Sequence, residues 1–256
     1  MTTRHDKKQS SEKYPKRLFA ILLFLGILLV ILFVGEYVLN PAKTAQEQSE
    51  TSQVKSKSGT KQSEKSKESM QIQKATIMAS GDMLYHDIVY GSAFDGEKYD
   101  FSNDYEQITS LISSADLALG DFEGTINPDY ELAGYPIFNT PESVITSIKN
   151  AGYDALDLAH NHILDTGLSG LKYTANAFQK AGLDTFGVNV PGDKILVKNV
   201  NGIKIAILGF SYGFNGIEAS ISQEDYDKYL NDLNMAKVEK KIKAAKEMAD
   251  LVVVMP

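Results

Sequence analysis

Asp154-Ala-Leu-Asp-Leu-Ala159-His160-Asn161-His162-Ile163-Leu164-Asp165-Thr166-Gly167 is the stretch on which the reading of this chain turns. Residues 154–159 have the length and apolar content of a buried strand, and the polar run His160–His162 follows at its carboxyl end. From Thr166 or Gly167 a helix is expected to run to Ala181 and stop at Gly182. Upstream, Pro141 and Glu142 open a helix that reaches Asn150 and ends at Ala151-Gly152. Asp116–Gly120 reads as a short buried strand. Tyr105–Ala115 has helical spacing of Ile108, Leu111 and Ile112, and Ala75–Ser80 reads as a strand entering a turn at Gly81-Asp82. Downstream, strands are expected near Thr185–Val188, Ile195–Val200 and Ile203–Phe210. A charged amphipathic helix follows over Met235–Ala249, then a buried strand over Leu251–Met255. Strands alternating with helices of about 10–15 residues predict an α/β layered domain over residues 75–256.

The first 74 residues are of another kind. Residues 1–17 are polar and basic, with Arg4, Lys7, Lys8, Lys13, Lys16 and Arg17 against Asp6 and Glu12. Leu18–Val34 contains no charge, and Gly35–Leu39 extends it to 22 residues. At about 1.5 Å rise per residue such a helix reaches about 33 Å, enough to cross a hydrocarbon core. A core helix apolar on every face so near a terminus has nothing to bury it. A cleaved signal peptide would have a shorter apolar region and a small-x-small site, which Asn40-Pro-Ala-Lys-Thr-Ala45 matches poorly. The expectation is one uncleaved membrane-spanning anchor over 18–39. The basic flank places residues 1–17 in the cytoplasm, so the main domain is extracellular. Residues 40–74 are rich in Lys, Ser, Gln, Glu and Thr and are expected to form a disordered tether.

The whole chain is 43% hydrophobic with net charge −7, which excludes a wholly disordered chain and a globally basic nucleic-acid binder. The charge is split. Residues 1–74 carry 13 Lys+Arg and 7 Asp+Glu, whereas residues 75–256 carry 13 Lys and 26 Asp+Glu. The last arginine is Arg17, so no guanidinium clamp is available to the domain. Lysine, metal or backbone N–H groups must handle any anionic ligand there. Cysteine is absent, which excludes disulfides, a thiolate zinc site and a lipoprotein anchor.

Three strand ends hold polar residues that a core does not need: Gly81-Asp82 with His86 nearby, Gly120-Asp121-Phe122-Glu123-Gly124, and His160–Asp165. Carboxylates, an Asn carbonyl and imidazoles suit a hard or borderline divalent metal. Two such metals about 3.5–4 Å apart activate water and clamp a phosphoryl group, which would answer the missing arginines. Each segment also has a plain structural reading: Gly81-Asp82 as a turn, Asp121 and Glu123 as a solvated loop, Asn161 or Asp165 as a helix cap. Together, in order and each at a strand end, they favour a site, with His86 and His160 as supporting rather than ligating groups.

Ile137-Phe-Asn-Thr-Pro-Glu142, Lys149-Asn-Ala-Gly-Tyr-Asp154 and Ala159–Gly170 resemble the capsule synthesis protein CapA family, which includes poly-γ-glutamate synthesis proteins. Gly81-Asp82 and Asp116–Glu123 fall at that family's first two motifs, and Gly202–Gly209 at its following strand. The resemblance covers about residues 75–256. It implies a layered α-β-β-α sandwich like that of the calcineurin-like metallophosphoesterases, with a divalent metal site, Mn, Fe or Zn, holding one or two ions. Residue by residue it carries over Asp82, Asp121 or Glu123, Asn161 and His162, with His162 as the catalytic group. Leu84 departs from the phosphoesterase Asp-x-His opening, Asp121-Phe122-Glu123 from the family's Asn-Leu-Glu, and His160-Asn161-His162 from its Asn-Asn-His. The family continues with His-Trp-Gly and Gly-His motifs after the strand equivalent to Leu251–Met255. The sandwich in this sequence is therefore expected to be an incomplete, inactive piece of a longer protein. The resemblance further implies partnership with a membrane polymer synthase and an anionic polymer. Three functions stay open: capsule or poly-γ-glutamate synthesis or export, phosphoester hydrolysis of a small substrate, and metal-free extracellular binding.

The anchor generates a prediction. Protease added to intact cells should degrade residues 75–256; protection until the membrane is opened would reverse the orientation.

Overall fold

The computed structural model describes residues 72–256. The expected basic tail, membrane segment and nearly all of the tether lie outside the described residues. Within the described residues no helix is long and apolar enough to cross a membrane.

Among the described residues seven strands form two sheets. β1 (Ile77–Leu84), β2 (Leu117–Glu123), β3 (Ala155–Asp157) and β4 (Asp184–Phe186) make a parallel sheet in that spatial order. β5 (Leu196–Val200), β6 (Ile203–Gly209) and β7 (Leu251–Met255) make the second sheet, β5 antiparallel and β7 parallel to β6. The helices are α1 (Asp87–Ser92), α2 (Ser102–Tyr105), α3 (Thr109–Ile112), α4 (Val144–Ala151), α5 (Gly167–Lys180), α6 (Gln223–Tyr229) and α7 (Met235–Met248).

Alternation along the strands assigns the layers. Leu117, Leu119, Ala155 and Phe186 of the first sheet pack on Val200, Ile205 and Ile207 of the second, so the sheets lie face to face. The opposite face of the first sheet buries Ala118, Phe122, Leu156 and Leu158 against Ile148 of α4 and Leu171, Ala175 and Phe178 of α5. Ala206 and Leu208, on the outer face of β6, are covered by Ala245, Val238 and Ile242 of α7. The molecule is a mixed α/β structure with a parallel sheet, layered helix, sheet, sheet, helix.

Several elements differ from their sequence expectation. Gly81-Asp82 is not a turn but lies inside β1, at a register irregularity between Ala79 and Asp82. β2 runs on to Glu123, so Asp121 and Glu123 belong to a strand and not to a solvated loop. The helix expected over Tyr105–Ala115 is broken into α2 and α3, because Tyr105 and Ile112 enter the core from separate turns. β7 is an edge strand with Leu251 and Val254 more than a third exposed, not a fully buried one. α1 and α6 are additional to the expected elements.

The irregularity in β1 decides which face Asp82 occupies. Ile77 and Ala79 pair with Leu117 and Leu119, but Asp82, not Gly81, pairs with Asp121. Strict alternation from Ala79 would turn Asp82 toward the helices. The extra residue resets the phase, as a bulge does. Met83 then joins the helix-side core beside Phe122, and Asp82 joins Asp121 on the face toward the second sheet.

Asp157 continues that row, pairing with Asp121 from β3. It is buried among backbone, and a Cβ on Gly209 would sit 2.6 Å from its Oδ2. Gly187, at φ 85°, is equally confined, its notional Cβ 2.6 Å from Ala159 N. The sheets close over this carboxyl only because both positions lack a side chain. Gly209→Ala should therefore cost about 1–3 kcal/mol in urea unfolding, as overpacking does. Most of that loss should vanish in an Asp157→Ala background, and an unchanged midpoint in the single variant would contradict the packing.

Candidate functional site

The parallel register sets Asp82, Asp121 and Asp157 side by side at the carboxyl ends of β1, β2 and β3. Ligands in open α/β sheets bind beyond this end of the strands. A cavity of about 770 Å³ opens there, lined by Asp82, Asp121, Glu123, His160 and Asn161 on one side. The loop from Phe210 to Gly216, with Glu218, forms the other. His162 reaches the same cluster, its Nε2 3.8 Å from Glu123 Oε1. All five residues singled out from the sequence, Asp82, Asp121, Glu123, Asn161 and His162, are thus brought together.

Negative charge dominates the cluster. Asp82 is near enough to act on both Asp121 and Glu123. Burial, reinforced by Asp82, pushes the Asp121 carboxyl up to about 7. Burial and the contact with Asp82 also raise Glu123 to about 7, against the opposing pull of His162. Asp157 is raised well above the usual carboxylate range by burial. Among the described residues no lysine lines the cavity to neutralise this charge. Among them, too, buried Asp121 Oδ1 has no hydrogen-bond partner, which leaves an acceptor without a donor. A divalent cation fits such a set in charge and donor type: oxygen atoms from three carboxylates and an amide, with an imidazole beside them. Among the described residues no three His, Asp or Glu side chains already surround one point as a finished cage. The fit is one of chemistry and proximity.

His162 is held from behind. Its Nδ1–H donates to Asp165 Oδ2 at 2.7 Å, and the same oxygen accepts from Phe138 N–H at 2.6 Å. Burial raises Asp165, while these bonds oppose the rise. The Phe138 ring meets the imidazole edge-on at 4.7 Å. A carboxylate behind Nδ1 fixes the tautomer and leaves the Nε2 lone pair toward Glu123 and the cavity. Asp165 is therefore the partner of His162, not a helix cap; Thr166 occupies the position before α5 and makes no side-chain cap.

His160 and His86 do not contribute donors to the cluster in the same way. Burial pulls His160 down to about 3, so it is neutral, and its Nδ1 accepts the His162 backbone N–H at 3.1 Å. Its Nε2 lies 3.3 Å from Gly124 N, which pins the loop after β3 to the end of β2. His86 caps α1 by accepting from Asp87 N–H, and its ring packs on Phe138.

Asp157 and Asn215 are members that the sequence reading did not single out. An aspartate inside an otherwise apolar strand is a signal, since Asp is almost never fully buried without purpose. Asn215-Gly216 reads as an ordinary turn dipeptide; only the fold places it opposite Asn161.

Comparison with known proteins identifies the family. Residues 76–256 match the family described as Bacterial capsule synthesis protein PGA_cap. The chain is similar to the "Capsule biosynthesis protein CapA" of Bacillus anthracis, 31% identical over 159 residues, covering 59% of this chain and 39% of that protein. It is similar also to the "PGA biosynthesis protein CapA" of Bacillus subtilis (strain 168), 30% identical over 114 residues, covering 42% of this chain and 30% of that protein. The matched stretches thus span well under half the length of either relative. With the family's profile running through every strand and every site residue described above, the chain belongs to the bacterial capsule synthesis protein PGA_cap family.

Proposed function

We propose that this protein is a membrane-anchored component of capsule synthesis or export, with a metallophosphoesterase-like domain outside the cell. The polymer is anionic, of the poly-γ-glutamate kind, and the partner a membrane polymer synthase. In this reading the uncharged stretch Leu18–Val34 and its extension to Leu39 would anchor the domain to the membrane where such a synthase works. The observation that carries the catalytic part is the cavity in which the carboxylates of Asp82, Asp121 and Glu123 crowd together beside Asn161 and His162.

In this reading Asp82, Asp121, Glu123 and Asn161 would hold one or two divalent cations, Mn, Fe or Zn. A cation so held supplies Lewis acidity toward a phosphoryl or carbonyl oxygen and lowers the pKa of water. His162 handles the proton: Asp165 keeps Nδ1 protonated, so Nε2 is the atom that accepts or returns a proton at the cavity face. The cation also resolves the electrostatic difficulty of a polyanion near a strongly acidic domain, because it turns an anion-repelling cavity into an anion-accepting one.

Deleting the gene from a capsule-forming strain should abolish surface polymer, and the wild-type gene should restore it. Asp121→Ala and His162→Ala should fail to restore it while the protein remains present in the membrane fraction. Surface polymer that persists after deletion would reject the capsule role; full restoration by both variants would reject the cavity as its site.

A further inference from the structure

Asn215 stands on the wall facing the carboxylates, in a loop whose conformation is closely specified. Phe214 beside it is 1% exposed and packs into the helix-side core, its ring edge-on to Tyr226 at 6.0 Å. Ser211 Oγ donates to Gly213 O at 2.8 Å and accepts from Gly213 N–H at 3.3 Å, which folds the loop on itself. Asn215 has φ 56° and Gly216 φ 80°, so the chain makes two successive left-handed steps immediately after the Phe214 anchor. Asn is among the few side-chain-bearing residues that accept this conformation readily.

Both ends of the Asn215 amide meet residues of the cluster. Its Oδ1 accepts from Asn161 Nδ2 at 3.2 Å. Its Nδ2 lies 3.4 Å from His162 Nδ1 and 3.5 Å from Nε2. Near-equal distances to both ring nitrogens place that N–H group over the imidazole face, since an in-plane position so close to both would collide with Cε1. His162 Nδ1 keeps its in-plane bond to Asp165. The two contacts act on different degrees of freedom: one sets the rotation of the Asn161 amide, the other limits the tilt of the His162 ring.

We infer that Asn215 is a positioning residue, which fixes the Asn161 amide so that its oxygen, not its NH2, is left for a cation, and which holds the His162 ring in place. The inference rests on the metal-binding reading above. An asparagine amide binds a cation through oxygen only, so its NH2 end needs an acceptor elsewhere. Asn215 Oδ1 is that acceptor. No charged side chain is spent on the task, so the charge balance of the carboxylates is unaltered.

The test uses the full chain and Mn²⁺ as probe. Asn215→Gly removes the side chain without straining a left-handed backbone, and Asn215→Ala serves as a second variant. Removing a group that orients a metal ligand typically weakens metal binding about 10–100-fold. Asn215→Gly should raise the Mn²⁺ dissociation constant at least about tenfold. If Asn215 acts through Asn161, then Asn161→Ala/Asn215→Gly should bind no more weakly than Asn161→Ala alone. In metal-free protein, the Asn161 side-chain amide resonances should shift in Asn215→Gly, a change that loss of general stability does not produce. An unchanged dissociation constant in Asn215→Gly, additive losses in the double variant, or unmoved Asn161 resonances would overturn the assignment. Absence of Mn²⁺ binding by the wild-type chain would instead reject the metal reading, and the metal-free resonances would then decide the positioning role alone.

Discussion

The structure depends on how three carboxyl-bearing strands are phased against one another. Parallel pairing brings Asp82, Asp121 and Asp157 into one row, and one extra residue in β1 puts Asp82 on the same face as the others. That face is closed by a second sheet, so the row is partly desolvated. Burial, reinforced by the neighbouring Asp82, raises the carboxyls of Asp121 and Glu123 to about 7. Neighbouring features serve this row. Gly187 and Gly209 make room for Asp157. His160, with Nε2 3.3 Å from Gly124 N, ties the third segment to the second. Asp165 and Asn215 approach His162 from different sides. A core built for stability alone would place apolar side chains in these positions.

Much of the layered arrangement was legible in the sequence. β2, β3, α4, α5, β5, β6, α7 and β7 all show in apolar runs, helical spacing and glycine stops, because each buries one face against a neighbour in a regular way. The phase of β1 was not legible. Ala75–Asp82 has the composition of a strand running into a turn, and only pairing with β2 reveals that the strand continues through Gly81. Tyr105–Ala115 failed as a single helix for a related reason: spacing alone does not register where two short turns must separate to bury Tyr105 and Ile112.

The candidate site was legible in its strand-end residues and not in its supports. Asp82, Asp121, Glu123, Asn161 and His162 stand out because polar types crowd the ends of apolar segments. Asp157 was hidden inside a strand, since its partners Gly187 and Gly209 lie 30 and 52 positions away in the chain. Asn215 was hidden because a turn asparagine has an ordinary backbone explanation, and its contacts with Asn161 and His162 span more than fifty residues. Long-range supports of this kind carry no local periodicity, so they become visible only when the fold closes.

The central claim is that the crowded carboxylates at the ends of β1 and β2 exist to hold a cation, and locating that cation tests it most directly. Crystals of the full chain grown with Mn²⁺, with diffraction recorded at the manganese absorption edge, would show where the metal sits. The expected result is an anomalous peak about 2–2.6 Å from carboxylate oxygens of Asp82 and Asp121, inside the cavity that Asn161 and Glu123 line. Well-ordered density for these side chains with no peak among them, at Mn²⁺ concentrations that occupy other surface carboxylates, would contradict it.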